Sequence, residues 1–288
     1  MISWDGPSSL DRMDAHRGSR TWVANLWVDE HAKLLKLDAD VRYTTNAEGD
    51  RLRMTKPFVE YDDQRHILLG LVDDVPYFSV DAKVEGPVHS LRENGHRLSA
   101  LELDLAAEAS ALAQWHRTGK FCSNCGHLTE VRNGGMQRVC PHCQAQHFPR
   151  TDPAVIVAVI DDQDRILLGR QRVWPERRVS VLAGFVEAGE SLEQTVHREI
   201  AEEVDIQLSQ VSYVASQPWP FPRSIMLGFA ARACTTAICV DGAEIESADW
   251  YDRDRVRADV ASEKLFLPME SSIARRLIES WLAGELPL

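Results

Sequence analysis

The sequence predicts an α/β protein in three parts: a small mixed, β-rich N-terminal domain, a cysteine-rich ribbon, and an α/β/α sandwich built on a mixed sheet. Three observations support this fold class. Short apolar runs dominate residues 22–81, two Cys-x-x-Cys pairs follow, and strands alternate with loops and helices after residue 150. We place the boundaries at 1–117, 118–149 and 150–288.

The first part contains short apolar runs that are typical of strands. They are Trp22–Val28, His66–Val72 and Tyr77–Val80, and Asp73-Asp74 forms a turn signal between the last two. Residues 101–117 are rich in alanine and leucine at helical spacing, and Gly119 ends that pattern. We therefore expect a small β-rich domain that leads through one helix into the ribbon.

The ribbon carries Cys122, Cys125, Cys140 and Cys143 as two Cys-x-x-Cys pairs. This spacing is typical of a tetrahedral zinc site with four thiolates. Disulfides are the alternative, but the segment Met1 to Arg20 is polar and unlike a signal peptide, so we expect zinc and a reducing cytoplasm. Four thiolates close the coordination shell, which makes the zinc structural.

Other cysteines and histidines are not needed for that site. Cys234 and Cys239 lie in an apolar stretch, and we expect them to be buried, reduced thiols. His127, His142 and His147 lie near the pairs, and we expect them at the surface or around the ligands.

Composition limits the classes of function. The 288 residues are 44% hydrophobic and 26% charged, and the net charge is −12. That charge opposes a general basic surface for nucleic acid, and we expect Arg132, Arg138 and Arg150 to lie on a solvated face. Apolar runs are shorter than the roughly 20 residues of a membrane span, so we expect no membrane partner.

The third part alternates strands with loops and helices. The predicted strands are 154–160, 165–170, 179–183, 211–215, 225–233 and a segment around Trp250, with a turn at 161–164 and a closing helix over 271–282. The strand over 179–183 leads through a glycine loop into a glutamate-rich helix.

Three glutamates on that helix share one face. Glu199, Glu202 and Glu203 stand at i, i+3 and i+4, so their carboxylates lie within one turn of each other. A solvated amphipathic helix would also place glutamates outward. Mg²⁺ or Mn²⁺ relieves the mutual repulsion, because hard cations prefer carboxylate oxygen and bridge to phosphate.

Residues at fixed spacings around the glutamates distinguish these alternatives. Gly184, Gly189, Glu190 and Arg198 precede the acidic face in one pattern, and together they resemble the Nudix box of hydrolases that cut a diphosphate linked to another moiety. One position departs from that family: the usual glycine is Asp205, at a helix end that often needs a left-handed backbone. Aspartate tolerates that conformation, so we expect a local cost in stability and no loss of activity.

An array of prolines and aromatics follows the box. It reads Ser216-Gln217-Pro218-Trp219-Pro220-Phe221-Pro222, and the alternate prolines favour a stiff, extended segment. Such a segment presents Trp219 and Phe221 for stacking, although a loop that fills the edge of a core is an equal alternative. Placed after a Nudix box and a zinc ribbon, the array resembles the marker of the NADH pyrophosphatase family.

That resemblance covers the chain from about Phe121 onward and implies an activity with named residues. It implies hydrolysis of NAD(H) to nicotinamide mononucleotide and AMP, and removal of NAD caps from RNA 5′ ends. The catalytic Mg²⁺ or Mn²⁺ would be held by Ala183, through its carbonyl, and by Glu199, Glu202, Glu203 and Glu244. Glu202 or Glu203 would be the general base. Substrate contacts would come from Phe185, Gln217, Pro218, Trp219, Pro220, Phe221, Pro222, Arg223, Ser224 and Ala274. Glu190 and Arg198 would join the loop to the helix.

Relatives in the family are homodimers, which implies a dimer here. Phe148 and Phe185 are aromatics beside functional elements, so they suit an interface or, equally, buried packing. Two alternatives for function stay open at this point. One is a Nudix diphosphatase for another nucleotide such as ADP-ribose, and the other is a zinc-ribbon nucleic-acid-binding regulator with an inactive Nudix domain.

Overall fold

The computed structural model describes residues 6–288, so residues 1–5 of the predicted first domain lie outside the described residues. Contacts divide these residues into two compact units: residues 152–219 with 224–288, and residues 6–151 with 220–223. The helices are α1 Arg20–Trp27, α2 Leu91–Asn94, α3 Ala100–Thr118, α4 Leu192–Val204, α5 Arg253–Ala261 and α6 Ile273–Ala283. The strands are β1 Lys33–Leu37, β2 Tyr43–Thr44, β3 Ile67–Val72, β4 Val75–Asp81, β5 Val88–His89, β6 Glu130–Arg132, β7 Gln137–Val139, β8 Gln146–His147, β9 Asp152–Ile160, β10 Ile166–Gln171, β11 Leu182–Phe185, β12 Leu208–Trp219, β13 Ser224–Ala233 and β14 Ile245–Tyr251.

The unit that contains α4 is built on a mixed sheet of six strands. Its order is β12-β13-β9-β10-β14, and β11 pairs with β9 beyond the end of β10. Strands β13 and β9 are parallel, whereas the other pairs are antiparallel. The predicted mixed sheet is therefore confirmed.

Alternation along β9 creates two cores, one on each face of the sheet. Val155, Val157 and Val159 pack on one face with the apolar side of α4, while Ile156 and Ile160 pack on the other with α6. Successive strand residues point to opposite faces, so a strand buried on both sides is apolar throughout. The result is the predicted α/β/α sandwich.

Two details of this unit differ from the sequence predictions. The strand expected over 179–183 is β11, Leu182–Phe185, because residues 179–180 pair instead with Phe266 and Gly169. Helix α5 was not predicted, since only Val256 of its residues is buried and its apolar pattern is weak. Asp205 ends α4 with φ 57° and ψ 32°, which confirms the expected left-handed position.

The N-terminal residues contain a three-stranded sheet in the order β1-β4-β3. The turn at Asp73-Asp74 is confirmed, and both residues have positive φ. The prediction of a strand over Trp22–Val28 was wrong, because the segment is helix α1. Ser19 caps its first turn, and Val23 and Trp27, four residues apart, bury one face.

The ribbon comprises β6, β7 and β8 in one antiparallel sheet, and the same unit contains the N-terminal residues. A Cβ at Gly135 would lie 2.4 Å from Ile67, so the ribbon backbone approaches β3 closely. The expectation of a solvated Arg138 was wrong. Its guanidinium is buried, donates to Thr129 and lies against His116. No helix within residues 6–288 is long and apolar enough to cross a membrane.

Candidate active site and zinc ribbon

The carboxylate of Glu199 lies directly against the backbone of Gly184. A Cβ placed on that glycine would stand 1.9–2.1 Å from the Glu199 carboxylate atoms. Any larger residue would displace the acidic side chain, so the strand that ends at Phe185 and helix α4 require glycine at this contact. The first glycine of the predicted motif is therefore explained by close approach.

Arg198 joins the glycine loop to the helix. Its guanidinium donates to both oxygens of Glu190 at 2.7 and 2.9 Å, and to the carbonyl oxygen of Phe185 at 2.9 Å. It also donates to Glu199 at 2.9 Å and to Glu202 at 3.1 Å. These hydrogen bonds from Arg198, with one from the Glu187 N–H, lower the pKa of Glu190 to about 2. The predicted pair of Glu190 and Arg198 is present.

Glu203 is the most deeply buried of the three glutamates, at 4% exposure. Neither of its carboxylate oxygens has a hydrogen-bond partner among residues 6–288. Burial, with the nearby charges of Glu199, Glu244 and Asp241, raises the pKa of Glu203 to about 8. A buried carboxyl group without partners, surrounded by other carboxylates, has the chemistry that a bound cation would stabilise.

A loop after β13 brings further carboxylates to this site. The N–H of Asp241 donates to the carbonyl of Glu203, and the N–H of Cys239 donates to that of Val204, so the loop is attached to the end of α4. The Asp241 carboxylate in turn accepts from the N–H groups of Glu244 and Ile245, and these bonds hold its pKa below its usual value. Sequence reasoning missed Asp241, although the Asp-Gly turn signal marked the position.

These carboxylates suit Mg²⁺ or Mn²⁺. Glu199, Glu203 and Glu244 influence one another electrostatically, and Arg198 is the cation that donates to Glu199. Glu202 differs, since 62% of its side chain is exposed. Ala183 lies in β11 opposite Ile156, in the residue pair next to Gly184. The residues thus fit a bound divalent cation, which would neutralise charge on a phosphate.

The four predicted zinc ligands come together in the ribbon. Their sulfur atoms all lie within 4.8 Å of one another, and the distances from Cys125 to Cys140 and to Cys143 are 3.5 and 3.4 Å. Such separations suit a tetrahedron of thiolates around one zinc ion. His147 Nε2 lies 3.3 Å from the sulfur of Cys122. As expected, it contacts a zinc ligand and is not itself one of the four. His127 and His142 are exposed and stack on each other, with ring centres 3.9 Å apart.

The proline and aromatic array is extended, as predicted, and then turns. Pro218 and Trp219 end β12 and pair with Ile225 and Ser224 of β13. Residues 220–223 belong to the other compact unit. Within that unit Gln114 Nε2 donates to the carbonyl of Pro220 at 2.7 Å, and the guanidinium of Arg92 lies 6.0 Å from the ring centre of Phe221.

Two predicted substrate residues have roles inside the fold. The side-chain amide of Gln217 donates to the carbonyl of Ser271 and accepts from the N–H of Ile273, both at 2.7 Å. It thereby attaches the start of α6 to β12. Ala274 is 7% exposed and packs in the core beneath α6.

The exposure of two phenylalanines and two cysteines differs from buried packing. Phe148 and Phe185 are 55% and 59% exposed, so the alternative of buried packing was wrong for this chain. The prediction that Cys234 and Cys239 are buried was also wrong, because β13 ends at Ala233 and both thiols lie exposed on the loop beyond it.

Comparison with known proteins agrees with this arrangement. Residues 150–269 match the NUDIX domain, and residues 117–148 match the NADH pyrophosphatase zinc ribbon domain. The NAD-capped RNA hydrolase NudC of Mycobacterium bovis is 44% identical over 221 residues, which cover 74% of this chain and 68% of that protein. The NAD-capped RNA hydrolase NUDT12 of Homo sapiens is 40% identical over 198 residues, covering 65% of this chain and 43% of that protein.

Among solved structures, a NUDIX hydrolase from Nitrosomonas europaea is 18% identical with a TM-score of 0.45, and the match covers 57% of this chain and 91% of that one. The sequence relatives and the two domain matches agree with the carboxylate face and the four-cysteine site. The chain therefore belongs to the NADH pyrophosphatase family of Nudix hydrolases.

Proposed function

We propose that this hydrolase cleaves the diphosphate of NAD(H) to nicotinamide mononucleotide and AMP, and that it removes NAD caps from RNA 5′ ends. The observation that carries the proposal is the buried, unpartnered carboxyl group of Glu203 beside Glu199 on a Nudix helix. The relatives from Mycobacterium bovis and Homo sapiens, both NAD-capped RNA hydrolases, support the choice of substrate.

The acidic residues have separate proposed roles, and exposure distinguishes those of Glu202 and Glu203. Glu199 and Glu203, with Glu244 and the carbonyl of Ala183, hold Mg²⁺ or Mn²⁺. When bound, the metal would offset the negative charge of the diphosphate. Phosphoryl transfer requires this neutralisation of charge and an aligned nucleophile. Glu202 is 62% exposed and can take a proton from the attacking water, whereas burial favours Glu203 as a ligand.

We further propose that aromatic side chains hold the substrate's rings. Trp219, Phe221 and Phe185 would stack on nicotinamide or adenine, with each contact contributing about 1–3 kcal/mol. The neighbouring positions proposed to shape the site are Pro218, Pro220, Pro222, Arg223 and Ser224. Because Gln217 and Ala274 are engaged within the fold, their contribution is to place the array and helix α6.

A panel of substrates tests the proposal. The zinc-loaded chain is supplied with Mg²⁺ or Mn²⁺ and with NADH, NAD⁺, ADP-ribose or NAD-capped RNA, and the products are separated by chromatography. We expect nicotinamide mononucleotide and AMP from the dinucleotides and a 5′-monophosphate on the RNA. Faster cleavage of ADP-ribose than of either dinucleotide would contradict the choice of substrate. Cleavage of NADH without NAD-RNA would restrict the function to the free dinucleotide.

Replacement of one aromatic residue tests the stacking role. Trp219→Ala should lower kcat/KM for NADH and for NAD-RNA by about tenfold or more, since a lost stacking contact is worth about 1–3 kcal/mol. Tyr213→Ala, which removes an exposed aromatic from the same strand, is the control and should leave both rates unchanged. Unchanged rates for Trp219→Ala would show that the stacking role is wrong.

We also propose that the chain acts as a homodimer in the cytoplasm, with the domain boundaries predicted above. Exposed Phe148 and Phe185 are available for contact with a second copy. Analytical ultracentrifugation should give twice the chain mass of 32.4 kDa at micromolar concentration. A monomer that retains full activity at nanomolar concentration would contradict the dimer.

A further inference from the structure

A cavity lies wholly within the unit of residues 6–151. Its volume is about 380 Å³, which is within the usual range for small-molecule sites. Strands β1, β3 and β4, helix α3 and the zinc ribbon all contribute to its walls. Neither the family assignment nor the proposed chemistry uses this cavity.

Cationic side chains dominate its polar lining. Arg65, Arg117, Lys120 and Arg138 line the cavity, and Asp81 is the only carboxylate among the lining residues. Four cations against one carboxylate leave a local excess of three positive charges, in a chain whose net charge is −12. A concave site of one sign raises the local concentration of ligands of the opposite sign.

Two of these cations are held in place by the fold. Arg117 donates to both oxygens of Asp81, each at 2.8 Å, and to the backbone carbonyls of Asp38 and Ala39. Arg138 donates from Nε to the hydroxyl of Thr129 at 2.7 Å and from Nη2 to its carbonyl at 2.8 Å. These contacts orient two guanidinium groups before any ligand arrives.

His116 lies beside Arg138 as a neutral group. Its Nδ1 is 3.1 Å from Arg138 Nη1 and must accept, because a guanidinium has only donors; its Nε2–H then donates to the carbonyl of Gly135 at 2.8 Å. Because His116 is neutral, the excess of positive charge in the cavity lining stays at three.

The other two cations are exposed and available. Neither Arg65 nor Lys120 makes a side-chain hydrogen bond or ion pair with any residue in the described part of the chain. The apolar part of the lining includes Leu37, Ile67 and Val80, which are buried, and Leu128, which is 61% exposed. Exposed cations and apolar side chains in one lining suit an anionic group attached to a flat ring.

We propose that this cavity binds a nucleoside monophosphate unit, with its phosphate on Arg65 and Lys120 and its base against the apolar wall at Leu128. The unit is either a free mononucleotide or one nucleotide of an RNA strand, since both offer the same phosphate and ring. Arginine and lysine both bind phosphate, and the lining contains no carboxylate other than Asp81, which Arg117 already engages. This site does not depend on the substrate proposed for the Nudix unit.

The test uses the full zinc-loaded chain without Mg²⁺ or Mn²⁺, and AMP as the probe. Hydrogen–deuterium exchange locates the bound nucleotide, and titration calorimetry measures its affinity. AMP should protect residues 64–67 and 118–130. Arg65→Ala/Lys120→Ala should weaken AMP binding at least tenfold and abolish that protection. Arg51→Ala/Lys83→Ala is the matched control, because it removes two exposed cations from the same unit outside the cavity.

The outcomes separate the proposal from its alternatives. Protection confined to residues 152–219, or equal affinity in the two double variants, would overturn it. Adenosine or inorganic phosphate binding as tightly as AMP would also overturn it. The cavity would then not bind both the phosphate and the nucleoside. The 5′-phosphorylated trinucleotide of adenosine assigns the source: tighter binding than AMP indicates an RNA strand, and weaker binding indicates the free nucleotide.

Discussion

Glu203 combines deep burial with two carboxylate oxygens that have no partner among the described residues. With saturating Mg²⁺ or Mn²⁺, Glu203→Gln should lower turnover of NADH at least about a hundredfold, the scale of a lost metal ligand or base. The substitution keeps the shape of the side chain and removes its ability to ionise and bind a cation. Steady-state rates of the purified variant provide the measurement.

Glu193→Gln is the matched control for that substitution. Glu193 lies in the first turn of the same helix and is exposed, so its loss should leave turnover unchanged. Thermal unfolding without divalent ions should show that Glu203→Gln is at least as stable as the parent. Near-normal turnover in this folded variant would remove Glu203 from the active site.

Metal binding at Glu203 should release a proton. Burial and neighbouring carboxylates raise its pKa to about 8, so the group is protonated at neutral pH until a cation binds. The apparent affinity for Mg²⁺ should therefore rise as pH increases from about 6 to 8 and level off above that. Calorimetric titrations in two buffers with different ionisation enthalpies count the protons released. A pH-independent affinity for Mg²⁺ would contradict this coupling.

At the scale of elements, Arg198 connects the loop 184–190 to helix α4. Arg198→Gln should lower kcat at least tenfold. Glu190, Glu199 and the Phe185 carbonyl would lose their shared donor, and the metal ligands would then be misplaced relative to the substrate. Arg275→Gln is the control, since it breaks a similar pair with Glu279 on helix α6 and should leave kcat unchanged. Equal rates for both variants would show that the loop does not need Arg198.

The junction of α3 with the ribbon should make folding sensitive to acid. Burial, followed by the charge of Arg138, lowers the pKa of His116 to about 4. The unfolded chain takes up a proton near the ordinary histidine pKa, so the stability contributed by neutral His116 is present above about pH 6.5 and is lost as pH falls towards 4. The full loss is about 3 kcal/mol. Urea unfolding at several pH values should show a steeper decline for the parent than for His116→Gln, and parallel curves would contradict the assignment.

At the scale of the whole molecule, two metals have separate roles. Brief dialysis against EDTA should abolish hydrolysis and leave one zinc per chain, because four thiolates bind far more tightly than a few carboxylates. Added Mg²⁺ or Mn²⁺ should restore the rate, while atomic absorption measures the retained zinc. Loss of zinc together with activity, or activity that survives EDTA, would contradict this division.

The elements predicted correctly from the sequence are those whose pattern is contained within a short stretch of the chain. Helix α3, strand β9 and the closing helix α6 were predicted because periodicity, caps and turn residues agree over short stretches. Helix α1 was mistaken for a strand because a short apolar run carries no clear period. Only packing against β3 and β4, with a cap from Ser19, selects the helix.

The sequence alone determined the chemistry of this protein: a Nudix face of glutamates, a four-cysteine ribbon and a proline-aromatic array, each encoded by residue type at fixed spacing. Tertiary structure decided what burial does to those residues. It placed Glu199 against Gly184, brought Asp241 and Glu244 to the end of α4, exposed Cys234 and Cys239, and committed Gln217 to helix α6. Spacing along the chain determines the local geometry of these side chains. Their burial and their hydrogen-bond partners depend on residues that are distant in sequence.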